Sequence, residues 1–589
     1  MAKRFKYWYS VKMTILKMLQ CIILFSALMS CSKKNSSDPA DPPDIPPVDT
    51  VITPGVDPAT ASTIGFFLDD WQTRTFTAPA YIGESIPATA STTVTVDATS
   101  IITKIPLSVF GQNAVWWMGP VANETKFTDP ITKLHPHIIR FPGGSTSDVY
   151  FWNAQQGVAP ADVPAQITDE SGAKRDPSYI YGKSNFNWQC NLDNYYAMLQ
   201  QTGNKGIITV NYGYARYGTG SDPVAAAAHF AADWVRYDNG RTQLWEIGNE
   251  NFGSWEWGYR IDQSLNKDGQ PEFITGALYA QHFKVFADSM RNAAAETGRT
   301  IYIGTVVFDN PATEPWQTNT VKTWNEGVIV GTKNDADFYV AHNYFTPYNE
   351  NSNSSVVFSS ALSVPQIMMN YLKQALQDNG ASLKPVVMDE WNMWARDSKQ
   401  QVSNSSGVFS VLVLGEAIKN KYGMAARWDL LNGWDNGNDH GLFSAGDEPG
   451  VSKWTARPSF YYMYFFRKMM GDRLVNSTAT GDNIKSYAST YTSGEVSVTL
   501  LNTSGSPENV EIKMKNFYSG NRFYWYSLEG SNDNGEFSRK VLINGSGPAQ
   551  DAGGPADYAT LKARSVLSVN GIRVTVPSRG MVVIAVDKK

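Results

Sequence analysis

A chain of 589 residues with a formal net charge of −5 is too long for one small domain and has room for two, one of them large. It carries no basic surplus of the kind that holds nucleic acid. Its three cysteines, Cys21, Cys31 and Cys190, exclude a cysteine metal cluster and, once the leader described next is removed, an intramolecular disulfide.

Lys3, Arg4, Lys6, Lys12 and Lys17 form a basic leader, and the apolar run Met18–Met29 behind it is too short for a comfortable bilayer span. The run ends Leu28-Met29-Ser30-Cys31, which resembles the lipobox of bacterial lipoproteins, although Met29 stands where a small residue is usual. The resemblance implies a signal peptide over residues 1–30 and a lipidated Cys31. The chain is then expected as an exported lipoprotein of the outer membrane, on its periplasmic or surface face, with secretion after Ser30 as the alternative. Residues 31–62, mostly rich in Pro, Asp and Ser, read as a disordered tether.

Residues 63–105 are expected to supply strands, led by the alternating Ser91–Val96, that join a β region at the other end of the chain. From residue 106 to 465 eight apolar runs alternate with helical stretches. The strand runs are Pro106–Asn113, His137–Phe141, Gly206–Tyr212, Leu244–Glu250, Thr300–Val307, Asp337–Phe345, Pro385–Trp391 and Met424–Leu430. Leu192–Gln201, Pro223–Arg236, Leu278–Thr297, Val364–Asn379 and Gly407–Lys421 read as the helices. This alternation predicts an α/β fold, a (β/α)8 TIM barrel with right-handed connections. Over 466–589 the helices stop, and short strands between Gly, Asn and Ser turns predict a C-terminal antiparallel β-sandwich. Long inserts at Tyr150–Gln189, Trp255–Gln270 and Leu431–Trp454 fall on the barrel rim and are expected to wall a cleft.

Two strand ends carry chemistry. Leu244–Ile247 leads through Gly248 to Asn249 and Glu250, and Val386–Met388 leads to Glu390 with Trp391 beside it. Strands four and seven lie on roughly opposite sides of an eight-strand ring, so the two carboxyls can approach to about 5 Å across its mouth, the spacing of a retaining double displacement at a glycosidic bond. Arg140, ending strand two, is expected as a donor to Glu390. Asn249 is expected to bind a sugar 2-hydroxyl. Asn113, at the end of strand one, is added to the substrate contacts. Tryptophans after strand ends can stack on sugar rings, and Trp117, Trp391 and Trp434 are expected to do so.

The stretches Arg140-Phe141-Pro142-Gly143-Gly144, Trp245-Glu246-Ile247-Gly248-Asn249-Glu250 and Asp389-Glu390-Trp391-Asn392, in this order, resemble the clan A glycoside hydrolases. Within that clan they are most similar to the family 51 α-L-arabinofuranosidases. The resemblance implies Glu250 as acid/base, Glu390 as nucleophile, and His342 and Tyr344 as site residues beside the nucleophile. The acid is expected to have a raised pKa, the nucleophile a site that keeps it ionised. Two departures, Ser145 where the family has Asn and the loop Asn251–Gly258, leave the sugar open. The expected substrate is a plant-type or algal polysaccharide, with α-L-arabinofuranosyl release first and internal cleavage of xylan, glucan or galactan as the alternative.

A non-catalytic carbohydrate-binding lipoprotein is the competing class, opposed by the presence of both glutamates. No cofactor and no metal are expected, because no two of the six histidines have helical ligand spacing. The Asp435 and Asp439 loop reads as a solvated turn.

Overall fold

A computed structural model describes residues 52–348, 350–394, 399–434 and 439–589. The leader, Cys31 and the tether up to residue 51 lie outside the described residues. Residues 52–62, expected as tether, instead pack against the fold. Asp57 pairs with Arg473 through two contacts, at 2.5 and 3.0 Å, and Lys104 adds a third at 3.5 Å.

Eight parallel strands close into a barrel: β1 (Gly111–Asn113), β2 (Ile138–Phe141), β3 (Lys205–Val210), β4 (Leu244–Ile247), β5 (Tyr302–Val306), β6 (Phe338–Asn343), β7 (Val386–Trp391) and β8 (Met424–Arg427). Each is followed by a helix, giving α1 (Thr125–Leu134), α2 (Leu192–Thr202), α3 (Pro223–Asp238), α4 (Gly276–Glu296), α5 (Asn319–Thr332), α6 (Ser354–Asp378), α7 (Asn404–Lys419) and α8 (Pro458–Met469). Side-chain stops set most helix starts. Asn191, Asp222, Thr275, Thr318, Asn353 and Ser403 each accept a backbone N–H from the first turn, which satisfies an otherwise orphaned donor.

Alternation along the strands sorts inside from outside. In β4, Trp245 faces the helix layer and meets Trp234 of α3 edge-on at 6.0 Å, while its neighbour Glu246 faces the barrel interior. β7 breaks the alternation. Its register slips by one residue against both β6 and β8 between Met388 and Glu390. Such a bulge re-aims side chains, and here Asp389 and Glu390 both reach the interior while Trp391 turns outward.

The segment before the barrel corrects the expectation of strands from residue 63. Gly65–Leu68 forms a helical turn, and Ile64 and Phe67 close the barrel floor against Ile138, Ile207, Leu244, Phe338, Val387 and Met424. The strand Thr92–Lys104 does join the C-terminal region, pairing antiparallel with Arg473–Ala479 and parallel with Glu508–Lys515. That region is one hydrogen-bonded path of strands, largely antiparallel, curled until its faces share a core of Val94, Val96, Val498, Val574, Phe523 and Ile584. It clamps the barrel through aromatic packing, such as Phe465 on Tyr526 at 4.8 Å and Tyr464 on Tyr558 at 4.9 Å. No helix among the described residues is long and apolar enough to cross a membrane.

The floor plug makes a testable element. Phe67→Ala deletes a ring packed among barrel-floor side chains and is expected to cost about 3–4 kcal/mol, read as an earlier urea midpoint by tryptophan fluorescence. An unchanged midpoint would show that the floor closes without it.

Candidate active site

The C-terminal ends of the strands converge on Arg140, which is fully buried. Its Nε donates to Glu246 Oε2 at 2.9 Å, its Nη1 to Glu390 Oε2 at 2.9 Å and Asn113 Oδ1 at 3.2 Å, and its Nη2 to Asn249 Oδ1 at 2.8 Å. Asp389 Oδ2 lies 3.6 Å from Nε. Thr209 of β3 adds a hydrogen bond to Glu246 at 2.7 Å. A buried cation of this kind is stable only when paired and hydrogen-bonded, and three other strand ends, β1, β4 and β7, supply the partners.

His342, ending β6, is the second centre. Its Nδ1 lies 2.9 Å from Glu250 Oε1 and its Nε2 lies 3.1 Å from Asp389 Oδ1. Glu390 accepts from the Tyr344 hydroxyl at 2.7 Å, and Glu250 accepts from the Trp255 indole N–H at 3.0 Å. One ligand atom each of Glu250, His342 and Glu390 all fall within 4.8 Å of one another, so the two carboxyls do meet across the mouth. Glu250 sits just past the strand with φ of +42°, after Gly248 at +76°. Left-handed backbone at a glutamate costs about 1–3 kcal/mol and is met mostly at functional sites.

The same distances would let Glu246, His342 and Asp389, or Glu250, His342 and Glu390, ligate a metal ion. Arg140 already lies against Glu246 and Glu390, and a divalent cation there would face its charge directly.

The electrostatics differ from the expectation for the two glutamates. Burial works to raise Glu250, but the hydrogen bond and charge of His342, with Trp255, outweigh it and hold its carboxyl below the usual value. Burial pushes Glu390 up, against the opposing charges of His342 and Arg140. Burial works against a charged His342, yet Glu390, Asp389 and Glu250 hold its pKa well above that of a free imidazole. Burial pushes Glu246 up to about 7 despite Arg140.

Two expected substrate contacts, Trp391 and Asn113, prove to be something else. Trp391 is fully buried and packs on Phe409 of α7 with ring centroids 6.0 Å apart. It faces outward because Glu390 beside it faces in. Asn113 is also fully buried, its Nδ2 donating to the Asp389 carbonyl at 2.8 Å and its Oδ1 held by Arg140, so it positions the arginine. Trp117 is half-buried against Trp116 and Trp428. Trp434 is half-buried and held through its backbone N–H by Asp447 at 2.8 Å. Asp435 lies outside the described residues, and Asp439, expected in a solvated turn, is buried and paired with Arg457 at 2.7 Å.

Glu256 and Trp316 were not foreseen. Glu256 accepts from Ser145 Oγ at 2.6 Å and from Asn249 Nδ2 at 3.0 Å, which fixes the amide orientation of Asn249 between Glu256 and Arg140. Ser145 thus braces the loop Asn251–Gly258 that follows Glu250. Trp255 and Trp316 are 48% and 49% exposed with centroids 6.1 Å apart, an open aromatic surface beside Glu250. The inserts Tyr150–Gln189 and Trp255–Gln270 bind each other, through Lys174–Asp262 at 2.7 Å and Ser254–Glu170 at 2.7 Å.

A ring of parallel strands, a second β domain and paired carboxylates at the ends of β4 and β7 invite comparison with known structures. The fold is shared with glycoside hydrolases. A family 51 α-L-arabinofuranosidase from Bifidobacterium longum aligns over 85% of this chain and 100% of its own, at 15% identity and a TM-score of 0.54. CelM2, a bifunctional glucanase-xylanase from a metagenome library, aligns over 85% and 99%, at 13% and 0.55. A family 44 xyloglucanase from Paenibacillus polymyxa aligns over 84% and 99%, at 11% and 0.53. No protein-family model and no curated protein sequence matches the chain.

Arg140→Met would leave Glu246, Asp389 and Glu390 without their shared cation. The expected loss is about 3–5 kcal/mol of stability, the cost of breaking a buried pair, measured by chemical denaturation. A midpoint equal to wild type would mean that the carboxyls neutralise one another by holding protons instead.

Proposed function

We propose that the chain is a retaining glycoside hydrolase acting on plant-type or algal polysaccharide, and that it releases α-L-arabinofuranosyl residues. The observation that carries the reading is the approach of Glu250 and Glu390 to within 4.8 Å. Carboxylate oxygens this close support the pairing of a double displacement, with roughly 5–5.5 Å between carboxyl groups, over the wider spacing of an inverting site, at about 6.5–9.5 Å.

Glu390 attacks the anomeric carbon, and its negative charge is prepared by Arg140 and Tyr344. Glu250 gives a proton to the leaving oxygen. It is held ionised in the empty site, so the proton is stored next door. His342 carries it on Nδ1 and passes it to Glu250 Oε1 as Glu250 protonates the leaving group. In the second half, water attacks the glycosyl ester and its proton returns to Glu250 and His342. Asn249, its amide set by Arg140 and Glu256, is placed for a sugar hydroxyl, and Trp255 and Trp316 for a ring face.

An internally cleaving glycanase is the second reading. It is favoured by the exposed Trp255 and Trp316 surface and by fold neighbours described as a glucanase-xylanase and a xyloglucanase. A carbohydrate-binding protein without chemistry would not require two carboxyls held at reacting distance. We further propose that Cys31 carries lipid and attaches the enzyme to a membrane.

Aryl glycosides led by the α-L-arabinofuranoside test the reading. Glu390→Ala and Glu250→Ala should each lose about 10³-fold or more of turnover. Azide should restore Glu250→Ala by trapping the ester as a glycosyl azide of retained configuration. An inverted azide product from that variant would assign the roles the other way. No activity on aryl glycosides, with cleavage of xylan or glucan, would favour the second reading.

Tyr344→Phe removes a donor that lowers the Glu390 pKa. Glu390 must be ionised to attack, so the acid limb of kcat/KM should move to higher pH. A limb that stays in place would remove Tyr344 from the nucleophile's control.

A further inference from the structure

At the opposite, N-terminal end of the barrel, a cavity of about 320 Å³ opens between α1, α8 and the segment entering β1. Its charged lining is one-sided. Arg74, Lys133, His135, Arg467 and Lys468 line it with one acid, Asp472. That acid is already engaged, accepting from the Arg74 backbone N–H at 2.6 Å, from Thr492 Oγ1 at 2.7 Å and from Arg473 at 2.7 Å.

The cations are not equivalent. Arg74 spends its guanidinium on backbone carbonyls at the end of α8, those of Arg467 at 2.9 Å, Lys468 at 3.2 Å and Met470. Arg467 makes no ion pair among the described residues. Its guanidinium lies 5.2 Å above the Phe110 ring, and its buried Nη1 has no hydrogen-bond partner. Lys133 and Lys468 touch only ring faces, Tyr558 at 5.9 Å for the first and Tyr526 at 5.2 Å for the second. Burial, with the charges of Arg467 and His137, pushes His135 down to about 4, so its imidazole is neutral at pH 7 and adds a polar edge rather than charge.

Buried guanidinium N–H groups are normally paired, because leaving one without an anion costs several kcal/mol. Arginine's planar fork matches carboxylate, sulfate and phosphate oxygens two at a time. A concave site of one sign also concentrates counter-ions. We propose that this cavity is a binding site for a small oxyanion, with Arg467 as its anchor and Lys133 and Lys468 as supporting charge. Free sulfate or phosphate and the carboxylate of an acidic sugar share this chemistry. The site is built from residues at the N-terminal end of the barrel and is separate from the Glu250 and Glu390 mouth, so it does not depend on the function proposed above.

Titration calorimetry of the full chain with sodium sulfate, sodium phosphate and sodium glucuronate, at ionic strength held constant with chloride, tests the site. At least one should bind saturably with one site per chain. Affinity should fall at least about tenfold, or 1.4 kcal/mol, in Arg467→Gln. It should fall severalfold in Lys133→Ala, whose exposed side chain can be removed without risk to folding, and stay unchanged in Glu390→Ala. Tighter glucuronate would identify an acidic sugar, and tighter sulfate or phosphate an inorganic anion. No saturable heat beyond the chloride control would overturn the proposal. So would equal affinity in Lys133→Ala and Arg467→Gln, or loss in Glu390→Ala.

Discussion

The mouth of the barrel depends on one buried cation. Arg140 is out of contact with water, and removing a guanidinium from water costs far more than any single neutral hydrogen bond returns. The barrel meets that cost by bringing strand ends from around the ring to one point. Glu246 from β4 and Glu390 from β7 carry the opposite charge, and the amide oxygens of Asn113 and Asn249 complete the set of acceptors. The arginine thereby sets the position of both reacting groups. It holds Glu390 directly, and it holds Glu250 through the preceding Asn249. Glu256 and Ser145 grip the other side of that amide, so the residue before Glu250 has little freedom to drift.

Four carboxyls, Glu246, Glu250, Asp389 and Glu390, face two cations, Arg140 and His342. The cluster cannot hold every carboxyl ionised at no cost, and Glu246 is pushed up to about 7 by burial first and by the neighbouring Asp389 charge second, against Arg140. How the two reacting glutamates differ follows from which cation each touches. Glu250 has the imidazole at 2.9 Å, which favours its ionised form. Glu390 has the guanidinium and a phenol but is more deeply enclosed, its side chain 7% exposed against 17% for Glu250. Two carboxyls of one residue type are thus given different environments, which is how a site assigns different proton tasks at one pH. The unexpected direction at Glu250 relocates the stored proton to His342 without emptying the site of it.

Much of the barrel was legible because apolar runs and helical periods alternate eight times, and each observed strand falls on an expected run. The position of the two proposed reacting glutamates at strand ends was legible for the same reason. Trp391 was misread although the rule that places it is simple. If Glu390 points inward, its neighbour points outward. Asp389 was passed over because the bulge in β7 suspends that rule, and a bulge leaves no periodic mark in sequence. The Ile64 and Phe67 plug resembled the start of a strand. Its role is set by the open floor of a barrel built later in the chain. Glu256, Trp316 and Arg467 lie where no period operates or where a helix ends, and their meaning comes from partners distant in sequence.

The two ends of the barrel divide the work. At the floor, apolar side chains from six strands meet Ile64 and Phe67, and this plug contributes stability. At the mouth the same strands end in charge, left-handed backbone and a bulge, each of which costs stability and is tolerated because the floor and the curled sheet hold the ring closed. That asymmetry bears on mechanism. In the proposed double displacement the water of the second half arrives from solvent, and Glu250 is the more exposed carboxyl and the one beside the open Trp255 and Trp316 surface. Glu390 lies deeper, its side chain 7% exposed. The deeper group is therefore suited to form the ester and the shallower one to move protons, a division that rests on access as well as on charge.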